Sequence, residues 1–336
     1  MIRKQSTTVV ILHEDLPENA RTDELDALVQ VEEVQAALAR LGWDVSTLPT
    51  DLNLSRTLSE LQHRDADCVF NLVESLDGSG RLINLVPSLL SAANMTFTGC
   101  DADAMFLTSQ KLIAKRWMTL HGVPTPTWVS AADQVRQDRK PWIVKSVWEH
   151  ASLGIDDGSV VRGKKALQRR LAHCREKYGG EWFAERYIDG REFNISVLEE
   201  AGEPRILPIA EIRFKNFPDN KPRIVGYAAK WDVAADEYYD TPRFFPRLTD
   251  AEDERLHEVV RKCWNIFRLR GYARVDIRMD SRGVPWVLEV NTNPCLSMDA
   301  GFVAAAAEAS IVYERLIEKI MDAALERNSS AVDRVA

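Results

Sequence analysis

The chain has 336 residues, a formal net charge of -8 and 45% hydrophobic residues. That length fits two or three packed domains, and the acidic balance argues against nucleic acid as a general partner. Five scattered cysteines, none in a Cys-x-x-Cys pair, disfavour a disulfide framework or a zinc site, and the six histidines show no metal-ligand spacing. No run approaches the roughly twenty apolar residues of a membrane helix. Residues 1–6 lack an apolar signal core, so the expectation is a reduced, cytoplasmic protein with no membrane partner.

In chain order, Thr7 to Leu12 reads as a strand, and Asp23 to Leu41 as an amphipathic helix ended by Gly42. A strand at Val45 to Leu48, a short helix marked by Leu54, Leu58 and Leu61, and a buried strand at Cys68 to Val73 follow. A helix from Leu82 to Ala93 and a strand from Met95 to Thr98 complete an alternating pattern, which predicts a parallel sheet covered on both faces. Asn71, Glu74 and the loop 77–81 fall where such sheets bind ligands, at the carboxyl ends of strands; a polar surface loop is the alternative. The chain has no strand-Gly-x-Gly-x-x-Gly unit, which speaks against a dinucleotide-binding fold.

Thr108 to Leu120 reads as a helix capped by Ser109 or Thr108, and Gly122 to Pro126 as a domain boundary. Trp142 to Lys145 is an apolar strand ending in a lysine, whose ammonium needs an anion: a phosphate or a structural carboxylate. The loop 146–155 contains Ser152-Leu153-Gly154, whose backbone could cradle a phosphate. A helix from Lys164 to about Lys177 is followed by an antiparallel region. Its strands are Trp182 to Ile188, Arg191 to Leu198 and Arg205 to Ile209, with Asp189-Gly190 as a turn between the first two. Glu185 and Glu192 lie near strand ends, either solvated or available to hold adenine and ribose. Tyr227 to Asp232, with Lys230, precedes an acidic aromatic loop, 236–240, that could close over a nucleotide. A helix from Asp250 to Leu269 and a closing helix from about Phe302 to Leu325 flank the most informative stretch.

That stretch, Gly271 to Ser297, is a hairpin of two apolar strands. With Ser281 and Arg282 as a two-residue loop, Asp280 faces Gly283, and alternation puts Arg274, Asp276, Glu289 and Asn291 on one face. Two carboxylates and an amide oxygen are hard donors suited to Mg²⁺. Carboxylates inside so apolar a run need a partner, which favours a site over a solvated face.

Taken together, these residues resemble the ATP-grasp superfamily, and within it the D-alanine–D-alanine ligases. The likeness runs from about Asn71 to Leu325. It is carried by Arg274-Val275-Asp276, by Leu288-Glu289-Val290-Asn291-Thr292-x-Pro294, and by Thr98 to Lys111 followed by Gly122-Val123-Pro124. Lys145, Ser152-Leu153-Gly154 and Glu185…Glu192 follow in the family's order. The resemblance implies an α/β fold of ATP-grasp type: an N-terminal parallel-sheet domain (1–107), then two α+β subdomains clasping ATP (108–188 and 189–327), then a disordered tail (328–336). It further implies Lys111 and Lys145 on the ATP phosphates, Glu185 with backbone near Tyr187 at adenine, and Glu192 at ribose. Lys230 would reach the γ-phosphate. Asp276, Glu289 and Asn291 would bind two Mg²⁺ ions (or Mn²⁺), Arg274 would stabilise an oxyanion, and Ser152 would sit in the reacting loop. The implied reaction joins a small-molecule carboxylate and an amine, amino acids in the family's pattern, through an acyl phosphate, in a homodimer built on the N-terminal domain. A non-catalytic ATP-binding regulatory module of the same fold is the alternative.

The departures from the family fall in the amino-acid pockets. The first turn, 11–17, has no glycine. The family's Glu-Gly-Ser-Ser-Val-Gly loop is Glu149-His150-Ala151-Ser152-Leu153-Gly154, and a frequent Tyr is Trp231. A Gly is replaced by Cys295, and the Ser expected to hold the acceptor carboxylate aligns with Ala300. The nucleotide machinery is thus kept while both substrate pockets differ.

Overall fold

The computed structural model describes residues 7–17, 20–135, 140–149 and 151–332; His150, named above for the donor pocket, lies outside the described residues. The N-terminal part contains β1 (Thr8–Glu14), α1 (Thr22–Arg40), β2 (Asp44–Thr50), α2 (Leu54–His63), β3 (Cys68–Asn71) and α3 (Leu85–Ala92). Its strands form a parallel sheet of order β2-β1-β3. Along β1 the side chains alternate: Val9 and Ile11 pack on one core, and Val10 and Leu12 on another. Both faces are therefore covered, as the unbroken apolar run implies. The strand expected at Met95 to Thr98 is reduced to a bridge, Val69↔Phe97.

The helix expected at Thr108 to Leu120 is two helices, α4 (Ala102–Ser109) and α5 (Lys111–Leu120). Gln110 breaks them apart in extended conformation, and its side-chain oxygen caps α5 by accepting from Ile113 N at 2.6 Å. The cap is thus Gln110, not Ser109 or Thr108. β4 (Trp128–Val129), β5 (Trp142–Ser146), β6 (Val160–Val161), α6 (Lys164–Tyr178) and β7 (Trp182–Arg186) follow, and the strands form an antiparallel sheet, β4-β7-β5-β6.

β8 (Gly190–Glu200) does not pair with β7, so Asp189-Gly190 is a crossover between sheets rather than a hairpin turn. The backbone there is too close for any side chain: a Cβ on Gly190 would lie 2.0 Å from Met279 O. β8 joins β9 (Glu203–Ile206) and β10 (Ala210–Ile212). Beyond α7 (Tyr227–Trp231) and α8 (Asp236–Asp240), the same sheet takes β11 (Arg243–Phe244); after α9 (Asp250–Phe267) it takes β12 (Tyr272–Asp280) and β13 (Pro285–Asn291).

The closing helix is also two, α10 (Gly301–Glu308) and α11 (Tyr313–Val332). α11 continues into the expected tail; residues 333–336 lie outside the described ones. α11 packs Leu316, Ile317, Ile320 and Met321 into the core that holds Val31, Val34 and Leu38 of α1. The two ends of the chain thus share one apolar core, and the N-terminal sheet is held against the C-terminal one. Among the described residues no helix is long and apolar enough to cross a membrane.

Candidate active site

One cavity of about 580 Å³ runs between the three sheets. Its floor is the face of β12 and β13. Along β12, Ala273, Val275, Ile277 and Met279 are buried in the core beneath, so Arg274, Asp276 and Arg278 face the cavity. The hairpin register differs from the one expected. Its loop has three residues, with Met279 opposite Pro285 and Arg278 opposite Trp286. That one-residue slip would turn Glu289 and Asn291 away from Asp276. A bulge restores them: Ile277 pairs with Val287, the next pair is Asp276 with Glu289, and Leu288 is the extra residue. Arg274 then stands opposite Asn291. The bulge is held from behind, where Val287 O accepts from Thr125 Oγ1 at 2.8 Å and Leu288 O accepts from Lys115 Nζ at 3.3 Å.

Asp276 is held at both oxygens. Oδ1 accepts from Asn194 Nδ2 (2.8 Å) and Arg274 Nε (2.8 Å), and Oδ2 accepts from Arg274 Nη2 (2.9 Å) and Asn291 Nδ2 (3.1 Å). Burial alone would lower the Arg274 guanidinium, but the Asp276 carboxylate outweighs it and raises it above its ordinary value. Two carboxylates and an amide, facing one cavity from adjacent strands, form a hard-oxygen set that fits Mg²⁺.

The lysines converge from three directions. Lys111 Nζ donates to Glu149 O at 2.7 Å and lies 3.9 Å from Glu289 Oε2. Lys145 Nζ is 2.7 Å from Glu185 Oε1, and Lys115 Nζ is 2.5 Å from Glu185 Oε2. Glu185, 1% exposed, is therefore committed to two lysines as well as lining the cavity. Burial would raise its carboxyl, but the two ammonium groups hold it below the usual range. Lys145 is correspondingly held above its ordinary value, because Glu185 outweighs burial. Lys230 comes from α7; burial and then the Arg274 guanidinium push its ammonium below the ordinary range. Among the described residues it makes no hydrogen bond or ion pair.

The two loops over the cavity are tied to each other. Trp231 Nε1 donates to Ala151 O (3.1 Å), Ser152 Oγ to Val225 O (2.9 Å) and Tyr227 N to Ile155 O (2.9 Å). Ala151, Ser152 and Gly154 all have positive φ, a sharply turned stretch that lines the cleft at Ala151, Ser152 and Leu153. Tyr187 Oη donates to Arg223 O at 3.3 Å, which draws the 213–226 segment over the far end.

The structure adds residues that the sequence reading missed. Arg278, 3% exposed, binds Glu192 Oε2 through Nε (3.0 Å) and Nη2 (2.6 Å), donates to Ile188 O (2.9 Å) and contacts Arg223 O. It thus fixes Glu192 and the crossover together. Its signal was present, since it follows Asp276 by one strand period. Lys115 sits four residues after Lys111 on one helix face, which also pointed to it. Glu74, expected at the carboxyl end of a strand, does line the cavity, whereas Glu14 and Asp26, which join it in one wall, had no such signal, because they come from separate elements.

A family model described as D-ala D-ala ligase C-terminus matches residues 117–322. The chain is 30% identical over 303 residues to the uncharacterized protein y4sG of Sinorhizobium fredii, covering 88% of this chain and 87% of that protein. It is 28% identical over 303 residues to the D-alanine–D-alanine ligase of Carboxydothermus hydrogenoformans, covering 86% and 90%. The solved structure of D-alanine–D-alanine ligase from Bacillus anthracis complexed with ATP has a like fold, with a TM-score of 0.74, 21% identity and coverage of 97% and 99%.

Proposed function

The chain belongs to the D-alanine–D-alanine ligase family of ATP-grasp enzymes, and from that premise we propose how it works as an ATP-dependent ligase forming an amide between a carboxylate and an amine. The observation that supports the reading most directly is the convergence on one cavity of Arg274, Asp276, Glu289 and Asn291 with Lys111, Lys145 and Lys230. The domains at 108–188 and 189–327 enclose the nucleotide, and the one at 1–107 closes the substrate end.

In this reading the phosphates lie between Lys111, Lys145 and Lys230, with Lys230 available because it makes no hydrogen bond or ion pair among the described residues. Asp276, Glu289 and Asn291 would hold Mg²⁺, which when bound neutralises charge on the phosphates. Adenine lies beside Leu288, the backbone at Tyr187 and Glu185; Glu185 also fixes Lys145 for its phosphate contact. Glu192, held by Arg278, takes the ribose. The substrate carboxylate attacks the γ-phosphate, giving ADP and an acyl phosphate, and the amine then displaces phosphate. Arg274, fixed by Asp276, faces the oxyanion of that second step. The tied loops around Ser152 and Lys230 exclude water from the acyl phosphate.

Ala151, Cys295 and Ala300 line the substrate end, where the family's pattern has other residues, and this supports a pair other than two D-alanines. The test is ADP release with Mg-ATP against single amino acids and pairs, D-alanine included, with Glu289→Ala as control. Release that needs a pair and is lost in the control establishes the ligase and its substrate class. Strong D-alanine dimerisation overturns the choice of a different pair. ATP binding with no release for any pair leads to the regulatory alternative.

A further inference from the structure

The substrate end of the cavity carries more carboxyl groups than joining two simple amino acids requires. Glu14 ends β1 and is 6% exposed. Its Oε1 accepts from the backbone of Glu74 (2.5 Å) and Ser75 (2.7 Å). Its Oε2 is buried and has no hydrogen-bond partner among the described residues. Glu74 lines the same wall and faces Glu14, Asp26, Gln30 and Arg274. Asp26, from α1, accepts from the weak donor Cys295 Sγ on Oδ2 at 3.3 Å and has the Ser297 hydroxyl as a second hydrogen-bonding neighbour.

Among the described residues, the cations nearby are engaged elsewhere. Arg21 is paired with Glu24 at 3.1 Å, and Arg274 with Asp276. Arg243 stands beside Asp299 and Gly301. Three carboxylates from three elements thus share one wall with one buried oxygen unpaired, an arrangement that is costly unless a cation is supplied. The single α-ammonium of a substrate would meet one of them.

Resting on the ligase reading above, we propose that the amino acid bound at this end carries a second ammonium group, so that the substrate class is a diamino acid with Glu14, Glu74 and Asp26 as its recognition residues. Burial and the neighbouring carboxylates push Glu74 up to about 8, so a ligand ammonium would replace a proton there.

The test is calorimetric titration of the full chain, loaded with Mg²⁺ and a non-hydrolysable ATP analogue, with lysine, ornithine, norleucine and alanine in both enantiomers. A diamino acid is expected to bind at least about tenfold more tightly than norleucine, as one charge-assisted contact contributes. Glu14→Gln and Glu74→Gln, made separately and checked by melting temperature, should each bring that ratio down severalfold. Equal or tighter binding of norleucine or alanine overturns the proposal, as does no binding of any diamino acid. ADP release under the same conditions separates the two readings. Selective lysine or ornithine binding without turnover for any pair counts against the ligase; full turnover on D-alanine without diamino-acid binding counts against the cationic pocket alone.

Discussion

Asp276 and Glu289 stand directly opposite each other on neighbouring strands because Leu288 is bulged out of the ladder between them and the turn. The three-residue loop and the bulge each shift the register by one, and the two shifts together keep all four polar groups on the cavity face.

Removing the charge of Glu289 should therefore strike turnover rather than folding. For Glu289→Gln we expect kcat for ADP release to fall on the order of 100-fold, with a weaker response to Mg²⁺ and an unchanged circular dichroism spectrum. Deleting Leu288 should do as much through geometry, by turning Glu289 and Asn291 toward the core. Turnover within about threefold of wild type in both variants would remove this face from the reaction.

Glu185 is buried between Lys115 and Lys145. Glu185→Gln leaves two buried ammonium groups without their carboxylate, which should cost about 3–5 kcal/mol. Urea unfolding measures this directly. A loss below about 1 kcal/mol would mean that the lysines find other partners.

Gly154 has φ +68°, and a Cβ there would lie 2.5 Å from the Trp182 ring. Gly154→Ala must displace the loop, and we expect the KM for ATP to rise roughly tenfold. Trp231→Phe removes the bond to Ala151 O while keeping an aromatic ring, costing about 1 kcal/mol of loop closure. It should show as extra ADP release with the acid substrate and no amine, since water then reaches the acyl phosphate.

The pH dependence of stability follows from Glu74. Burial, then Glu14 and Asp26, raise its folded-state value from 4.5 to about 8. The folded chain keeps a proton that the unfolded chain releases, so this contribution is present below pH 4.5 and is lost as pH rises toward about 8. Glu14 and Asp26 are raised as well, chiefly by burial, and act in the same direction. Glu74→Gln should flatten the fall in melting temperature across that window; a profile parallel to wild type would contradict it.

Much of this was legible in the sequence because it depends on local periodicity. Alternation along 272–280 places Arg274 and Asp276 on one face, and the apolar spacing from Leu25 to Leu41 marks a helix, whatever the rest of the chain does. Breaks inside continuous patterns were harder to see. Gln110 divides one apolar stretch into two helices, and Asp189-Gly190 carries the chain between sheets although it reads as a turn. In both cases the local signal matches the alternative, and packing decides.

By itself, then, the sequence determined most of the elements and the faces of its strands, because those rest on side-chain period, and its residue order carried the family resemblance. Only the tertiary structure decided the bulge at Leu288, the commitment of Glu185 to Lys115 and Lys145, and the meeting of Glu14, Asp26 and Glu74 on one wall. Register depends on the actual loop length and on what braces the strand from behind. Charge neutrality in a buried site depends on which distant segments arrive there. Neither is encoded within a window of neighbouring residues.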